Sequence, residues 1–260
     1  IGLVVSGGHT SIYSIGMDGP APRGDGQPEG ERGRGAASSN PTSVSGAGES
    51  FSRANRSSHA MLRLQRLGAT IDDAIGEAYD KAAAILGLGF PGGPALDRLA
   101  QQPGANDRAV DLPISRLSPT SLDFSFSGLK TSLLYAAHGP PGTPDDQRPA
   151  LTPERSRDLA ASFQRAATGA IILKLGRALA RLQDQGTPVR AVIAGGGVTA
   201  NSRLRSELAA LAAHHALRLV IPPISLCVDN AAMIAGLGHV LLEAGVRDGL
   251  DLAPVPTTAC

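Results

Sequence analysis

Residues 191–205 read AVIAGGGVTANSRLR. Four residues suited to an extended strand run into three glycines, and a polar step leads on to Leu204, Leu208 and Leu211 at helical spacing. A strand that turns through glycine into a helix leaves the first helical N–H groups without intrahelical partners and lets backbone approach an anion. The segment also restricts the architecture, because strand, glycine turn and helix followed by another strand (LRLVIPP) describe α/β folding around a sheet. Gly195, Gly197 and Ala200 satisfy G-x-G-x-x-A, the dinucleotide-binding pattern. That pattern expects an acidic residue about 20 positions on, to bind ribose. The next strand ends Val220-Ile221-Pro222-Pro223 with no carboxylate, which argues against NAD. A tight turn without any ligand is the plain alternative.

A second glycine turn, Ser6-Gly7-Gly8-His9-Thr10, lies within IGLVVSGGHTSIYSIG, whose β-branched flanks predict a hairpin. Two glycine turns in one chain suggest a nucleotide between them, with phosphate at one and base or ribose at the other. From Met17 to about Ser58 the sequence is rich in Gly, Pro, Ser and Arg, with too little apolar surface to offset ordering, and is expected to be a disordered insertion. Alternation resumes at Ala60, Leu62 and Leu64 as a further strand of the same sheet.

A helix is predicted from about Asp72 to Leu86, capped by Asp72 or Asp73, with Glu77 and Lys81 in register for an ion pair. Asp73, Glu77 and Asp80 share its face, either as a solvated stripe or with one carboxylate set for ribose hydroxyls. Pro91 breaks the pattern, and a helix restarts near Ala95. Thr152-Pro153 opens a long helix that ends before Gly186, with Leu159, Phe163, Ala166, Ala170, Leu175 and Leu179 on its apolar face. Asp229-Asn230 caps a final helix to about Ala244, stopped by Gly245.

With 260 residues and 42% hydrophobic side chains, the chain can bury a substantial core. A formal charge of +1 supplies no global field for nucleic acid, so any such partner is met by a local patch. Cys227 and Cys260 make no disulfide framework, which favours a reducing compartment. No apolar run reaches the ~20 residues of a membrane-spanning helix. Asp229 can cap a helix or ligate a metal, but one carboxylate is not a metal site. The chain begins at Ile1 within an apparent strand, which predicts a fragment whose upstream part is missing.

Five blocks, VVSGGHT, IDDAIGEAYDKAAAILGLGFPGGPALDRLA, DFSFSGLKTSL, AGGGVTANSRLR and CVDNAAMIAGLG, together resemble the TsaD family of tRNA N6-adenosine threonylcarbamoyltransferases, in the family's order. The resemblance implies the two-lobed actin/hexokinase/Hsp70-like (ASKHA) α/β fold. Residues 1–225 would be largely its second lobe, interrupted by the insertion at about 17–58, and the first lobe would be mostly missing. Residues 226–260 would form a helix and tail packed on that missing lobe.

The implied activity is transfer of a threonylcarbamoyl group from threonylcarbamoyl-AMP to N6 of the adenosine 3′ of the anticodon in tRNAs reading ANN codons. By the same resemblance Val4, Val5, Ser6, Gly7 and Gly8 form a phosphate-side loop, and Asp80, Gly93, Asp97 and Asn201 contact the adenylate. Asp229 would be one ligand of a divalent metal, iron or zinc, whose other ligands lie upstream of residue 1. No residue is assigned as general base. Implied partners are tRNA and the subunits of the modification complex, TsaB and TsaE in a bacterium, in the cytoplasm or alternatively a mitochondrion. A kinase of the same fold and a non-catalytic partner-binding remnant are the competing functions. The family's older label as an endopeptidase needs a metal-bound water and a base that these residues do not supply.

Overall fold

The computed structural model describes residues 1–17 and 62–253. In chain order they form β1 (Gly2–Val5), β2 (Thr10–Met17), β3 (Leu62–Ala69), α1 (Ile75–Ile85), α2 (Gly92–Ala100), α3 (Ser127–His138), α4 (Pro153–Asp184), β4 (Ala191–Gly195), α5 (Ser202–His214), β5 (Arg218–Val220) and α6 (Ala231–Glu243). Beyond Met17, the insertion expected at 17–58 lies outside the described residues. The chain divides into two units. Residues 1–16 and 63–230 make the first, and residues 17–62 and 231–260 the second.

Within the first unit the five strands form one sheet in the order β3-β2-β1-β4-β5. The predicted hairpin is present, with β1 antiparallel to β2 and Gly2 opposite Tyr13. β1 is parallel to β4, and β4 to β5. The strand period of two separates the faces. Leu3, Val5, Ile12, Val192 and Ala194 are buried, whereas Val4 and Ile193 point the other way and are partly exposed.

The buried face joins a core centred on α4, whose first turn is set by the predicted Thr152-Pro153 pair. Thr152 Oγ1 accepts from Arg155 N at 3.2 Å, and Pro153 occupies a helical position that needs no donor. Leu159, Phe163, Ala166, Ala170, Leu175 and Leu179 are buried as the periodicity predicts. Phe163 meets Tyr79 of α1 edge to face, with centroids 5.3 Å apart.

Lys174, also on α4, has no exposed surface. Its ammonium donates to the carbonyls of Arg116 and Ser121, both at 2.8 Å. Arg177 Nη1 donates to the carbonyls of Arg116, Ser118 and Ser121. These two cations tie the Arg116, Ser118 and Ser121 carbonyls of this loop to α4. Burial holds the Lys174 pKa below the usual lysine range.

Several expected boundaries move. α1 starts at Ile75, and its N-cap Ala74 makes no side-chain cap, so neither Asp72 nor Asp73 caps it. Its first two amides are instead taken by distant groups: Ile75 N donates to Thr10 Oγ1 at 2.9 Å and Gly76 N to the Ser6 carbonyl at 3.2 Å. α2 begins at Gly92, directly after Pro91, rather than near Ala95. β5 keeps only Arg218–Val220 of LRLVIPP, since Pro222 and Pro223 have no N–H for a ladder. In the second unit, α6 (AAMIAGLGHVLLE) ends close to the predicted position, and Met233, Ile234, Leu237 and Val240 are exposed.

Candidate functional site

Parallel pairing of β1 and β4 places Val4 opposite Gly195. Both strands therefore run out at the same end of the sheet, and the Ser6–His9 turn and the Gly195–Gly197 turn leave it side by side. This is the juxtaposition that two glycine turns suggested.

Each turn is fixed by close packing. At Gly196 φ is +100° and ψ 161°, a region that side chains larger than hydrogen essentially never adopt. A Cβ there would also run into the Val5 carbonyl of the adjacent strand. The 197–200 segment then winds as a short 3-10 turn, closed by Thr199 Oγ1 donating to the Gly196 carbonyl at 2.7 Å. On the other turn, Ser6 N donates to the His9 carbonyl at 2.8 Å and His9 N to Ser6 Oγ at 3.0 Å. Gly7 and Gly8 are exposed, with open space beside them. The start of α1 presses on this turn from behind. A Cβ on Gly76 would come within 2.6 Å of the Ser6 carbonyl and 2.8 Å of Gly7 Cα.

Asn201 N-caps α5: its Oδ1 accepts from Leu204 N at 2.9 Å. Its Nδ2 donates to Asp97 Oδ1 on α2 at 3.1 Å. The same Asp97 oxygen accepts from Ser202 Oγ at 2.8 Å and from Gln164 Nε2 of α4 at 2.9 Å, while Oδ2 accepts from Ser202 N at 3.3 Å. Asp97 thereby ties α2, α4 and α5 together. Tyr79 lies behind this knot, and burial, reinforced by the charges of Asp97 and Glu207, raises its pKa far above the usual tyrosine value. Arg203 donates to Asp107 and Glu207, both at 2.7 Å. A cavity of about 220 Å³, bordered by Gln101, Asp107, Gln164, Ser202 and Arg203, opens beside the knot.

Asp80 accepts from Gly92 N at 2.9 Å, joining α1 to the start of α2, where a Cβ on Gly93 would meet nothing within 4 Å. The predicted residues are thus linked: the 4–8 turn to α1 through Gly76, Asp80 to Gly92, and Asp97 to Asn201. Asp229 is exposed. Among the described residues no group of three or more His, Cys, Asp or Glu side chains could hold a metal ion. Asp229 alone does not make a metal site.

Of the predicted carboxylate stripe, Asp73 precedes α1 and pairs with Lys81 as Glu77 does, whereas Asp80 takes the Gly92 amide. Lys81 bonds Asp73 at 2.7 Å and Glu77 at 2.8 Å, the latter as predicted. Asp72 serves α3 instead of α1, accepting from Ser125 Oγ at 2.6 Å, Phe126 N at 2.8 Å and Ser127 Oγ at 2.8 Å. Partial burial raises its pKa, but these bonds outweigh that and hold it below the usual value. A carboxylate with a depressed folded pKa contributes stability that is full above its unfolded pKa and is lost as pH falls through the folded one. Asp72→Ala is therefore expected to cost up to ~1 kcal/mol at pH 7, given its exposure. The gap to the parent should close below about pH 4, where the unfolded carboxyl protonates, as read by urea titrations across pH.

Sequence reasoning missed Gln164, Ser202 and Thr10. The available signals were a glutamine inside the apolar face of a helix and a serine next to a helix cap.

A protein-family model described as TsaD: tRNA N6-adenosine threonylcarbamoyltransferase matches residues 52–236. The chain belongs to the TsaD family. Its mixed five-stranded sheet with helices is the actin/hexokinase/Hsp70-like α/β fold expected for TsaD proteins. It is similar to proteins named tRNA N6-adenosine threonylcarbamoyltransferase from several organisms. One from Sorangium cellulosum is 41% identical over 260 residues, covering 100% of this chain and 58% of the relative. One from Sinorhizobium medicae is 45% identical over 196 residues, covering 73% and 51%. One from Anaeromyxobacter dehalogenans is 40% identical over 259 residues, covering 98% and 60%. The chain thus spans between 51% and 60% of the length of these TsaD relatives.

Proposed function

We propose that this chain carries the adenylate-binding part of a tRNA N6-adenosine threonylcarbamoyltransferase. The observation that carries the reading is the parallel β1–β4 pairing, which sets two glycine turns at one end of the sheet with the Asp97–Asn201 knot beside them. The exposed Gly7–Gly8 turn takes the phosphate of threonylcarbamoyl-AMP on its backbone amides. Gly93, Asp80 and the Asn201 region border the nucleoside. Asp97 serves mainly as a brace, since several donors from the protein already converge on its carboxylate.

In the reaction, the N6 amine of the tRNA adenosine attacks the carbamoyl carbon. A C–N bond forms, the C–O bond to phosphate breaks, and AMP leaves with the bonding pair while the amine loses a proton. Amides fixed at the phosphate stabilise the charge that gathers on the leaving AMP. This reading includes tRNA as acceptor, partner subunits such as TsaB and TsaE in a bacterial setting, and a cytoplasmic location. A metal-ligand role for Asp229 belongs to the same reading.

Calorimetric titration with a non-hydrolysable threonylcarbamoyl-adenylate analogue tests the proposal. The unsubstituted chain should bind, and Asn201→Ala and Asp80→Ala should each weaken binding at least about tenfold, the equivalent of ~1.4 kcal/mol. Equal affinity in all three proteins would place the ligand elsewhere, and no binding by the unsubstituted chain would contradict a site complete in these residues.

A further inference from the structure

Gln164 is the one amide side chain among the buried residues of α4, at 3% exposure, between Phe163 and the Ala166–Ala167 pair. Its Nε2 donates to Asp97 Oδ1 at 2.9 Å. Its Oε1 has no hydrogen-bond partner and no exposed surface. The amide cannot be turned round to relieve this, because the carboxylate would then face an acceptor instead of a donor. An apolar residue of similar volume would spare the buried oxygen its desolvation. A glutamine therefore makes physical sense here only for what its N–H does to Asp97.

Asp97 Oδ1 is the shared acceptor for Gln164, Asn201 and Ser202, and Asn201 Oδ1 in turn caps α5. The donor from α4 fixes where that oxygen sits, and thereby the start of α5. We propose that Gln164 is a positioning residue for the adenylate site: acting through Asp97, it sets the orientation of Asn201 and Ser202 where the Gly195–Gly197 turn enters the helix. The inference rests on the adenylate reading for its functional consequence, and on the hydrogen-bond geometry alone for the positioning itself.

Gln164→Leu keeps the volume and removes the donor. Amide exchange in the full chain is expected to speed at least about tenfold at Ser202 and Leu204, with the α4 amides around residue 164 unchanged. Affinity for the adenylate analogue, measured well below the melting temperature, should fall by a similar factor. Unchanged exchange at Ser202 and Leu204 overturns the proposal. So does a lowered melting temperature with affinity and local exchange intact, the pattern of a purely structural residue.

A donor–acceptor exchange keeps the test decisive if the leucine variant folds poorly. Gln164→Glu, which sets two carboxylates together, should be the more damaged variant. Adding Asp97→Asn should recover part of the protection at Ser202, because the new amide can donate to the new carboxylate while its oxygen still accepts from Ser202 N, although Asn201 Nδ2 then loses its acceptor. Absence of recovery counts against the pairing. If the unsubstituted chain does not bind the analogue, the adenylate reading fails, and exchange at Ser202 and Leu204 still decides the positioning.

Discussion

Gly196→Ala is expected to destabilise the fold by about 3 kcal/mol or more. Two independent effects converge on this one methyl group. The backbone at φ +100° and ψ 161° is open essentially to glycine alone. The added carbon would also strike the Val5 carbonyl, so the ends of β1 and β4 would have to move apart at the cost of their pairing. Moving them apart separates the two glycine turns, and nucleotide affinity should vanish with stability. Gly197→Ala is the control. Its φ is not in the left-handed region, and the nearest atom to a new Cβ is Val228 Cγ1 at 4.0 Å. It should stay within about 0.5 kcal/mol of the parent in urea unfolding. A Gly196→Ala protein as stable as Gly197→Ala would show that the turn is not held as described.

Asp97→Ala is expected to cost about 3 kcal/mol, because it strands donors on Gln164, Asn201 and Ser202 at once, each in a partly or wholly buried setting. Asp97→Asn keeps one acceptor oxygen but turns an amide toward Ser202 N, and should fall between the parent and the alanine variant. Denaturant unfolding reads the stability, and adenylate-analogue titration reads the site. The account expects both to decline together, because the brace and the start of α5 are one network. Alanine and asparagine variants with the parent's stability and affinity would mean that the network carries little of either.

Local patterns made much of the architecture legible. The Thr152-Pro153 start of α4, the hairpin around Gly7-Gly8 and the helix after Asn201 follow from capping, turn chemistry and periodicity that act within a few residues. What was misread depends on partners far away in sequence. Asp72 looked like the cap of the helix beside it, yet its acceptors meet Ser125, Phe126 and Ser127, more than 50 residues on. The first amides of α1 found Thr10 and Ser6 across the sheet instead of a local side chain. No periodicity encodes such choices.

The candidate site divides in the same way. Both glycine turns were visible in the sequence, and their adjacency became explicit only with the β1–β4 register. Asp97 and Asn201 entered through family resemblance, whereas Gln164, which completes their network, belongs to no short motif and lies 67 positions from Asp97. Burial reveals it: a polar amide inside an apolar helix face calls for a partner, and the partner is the carboxylate of the site.

In the proposed site the two glycine turns serve a single nucleotide. Backbone amide resonances of the isotopically labelled chain, followed during titration with AMP, test it most directly. Saturable shifts are expected at Gly7 and Gly8 and, with the same dissociation constant, at Gly195 to Ser202. Shifts confined to one turn, or arising with different constants at the two, would contradict a shared site.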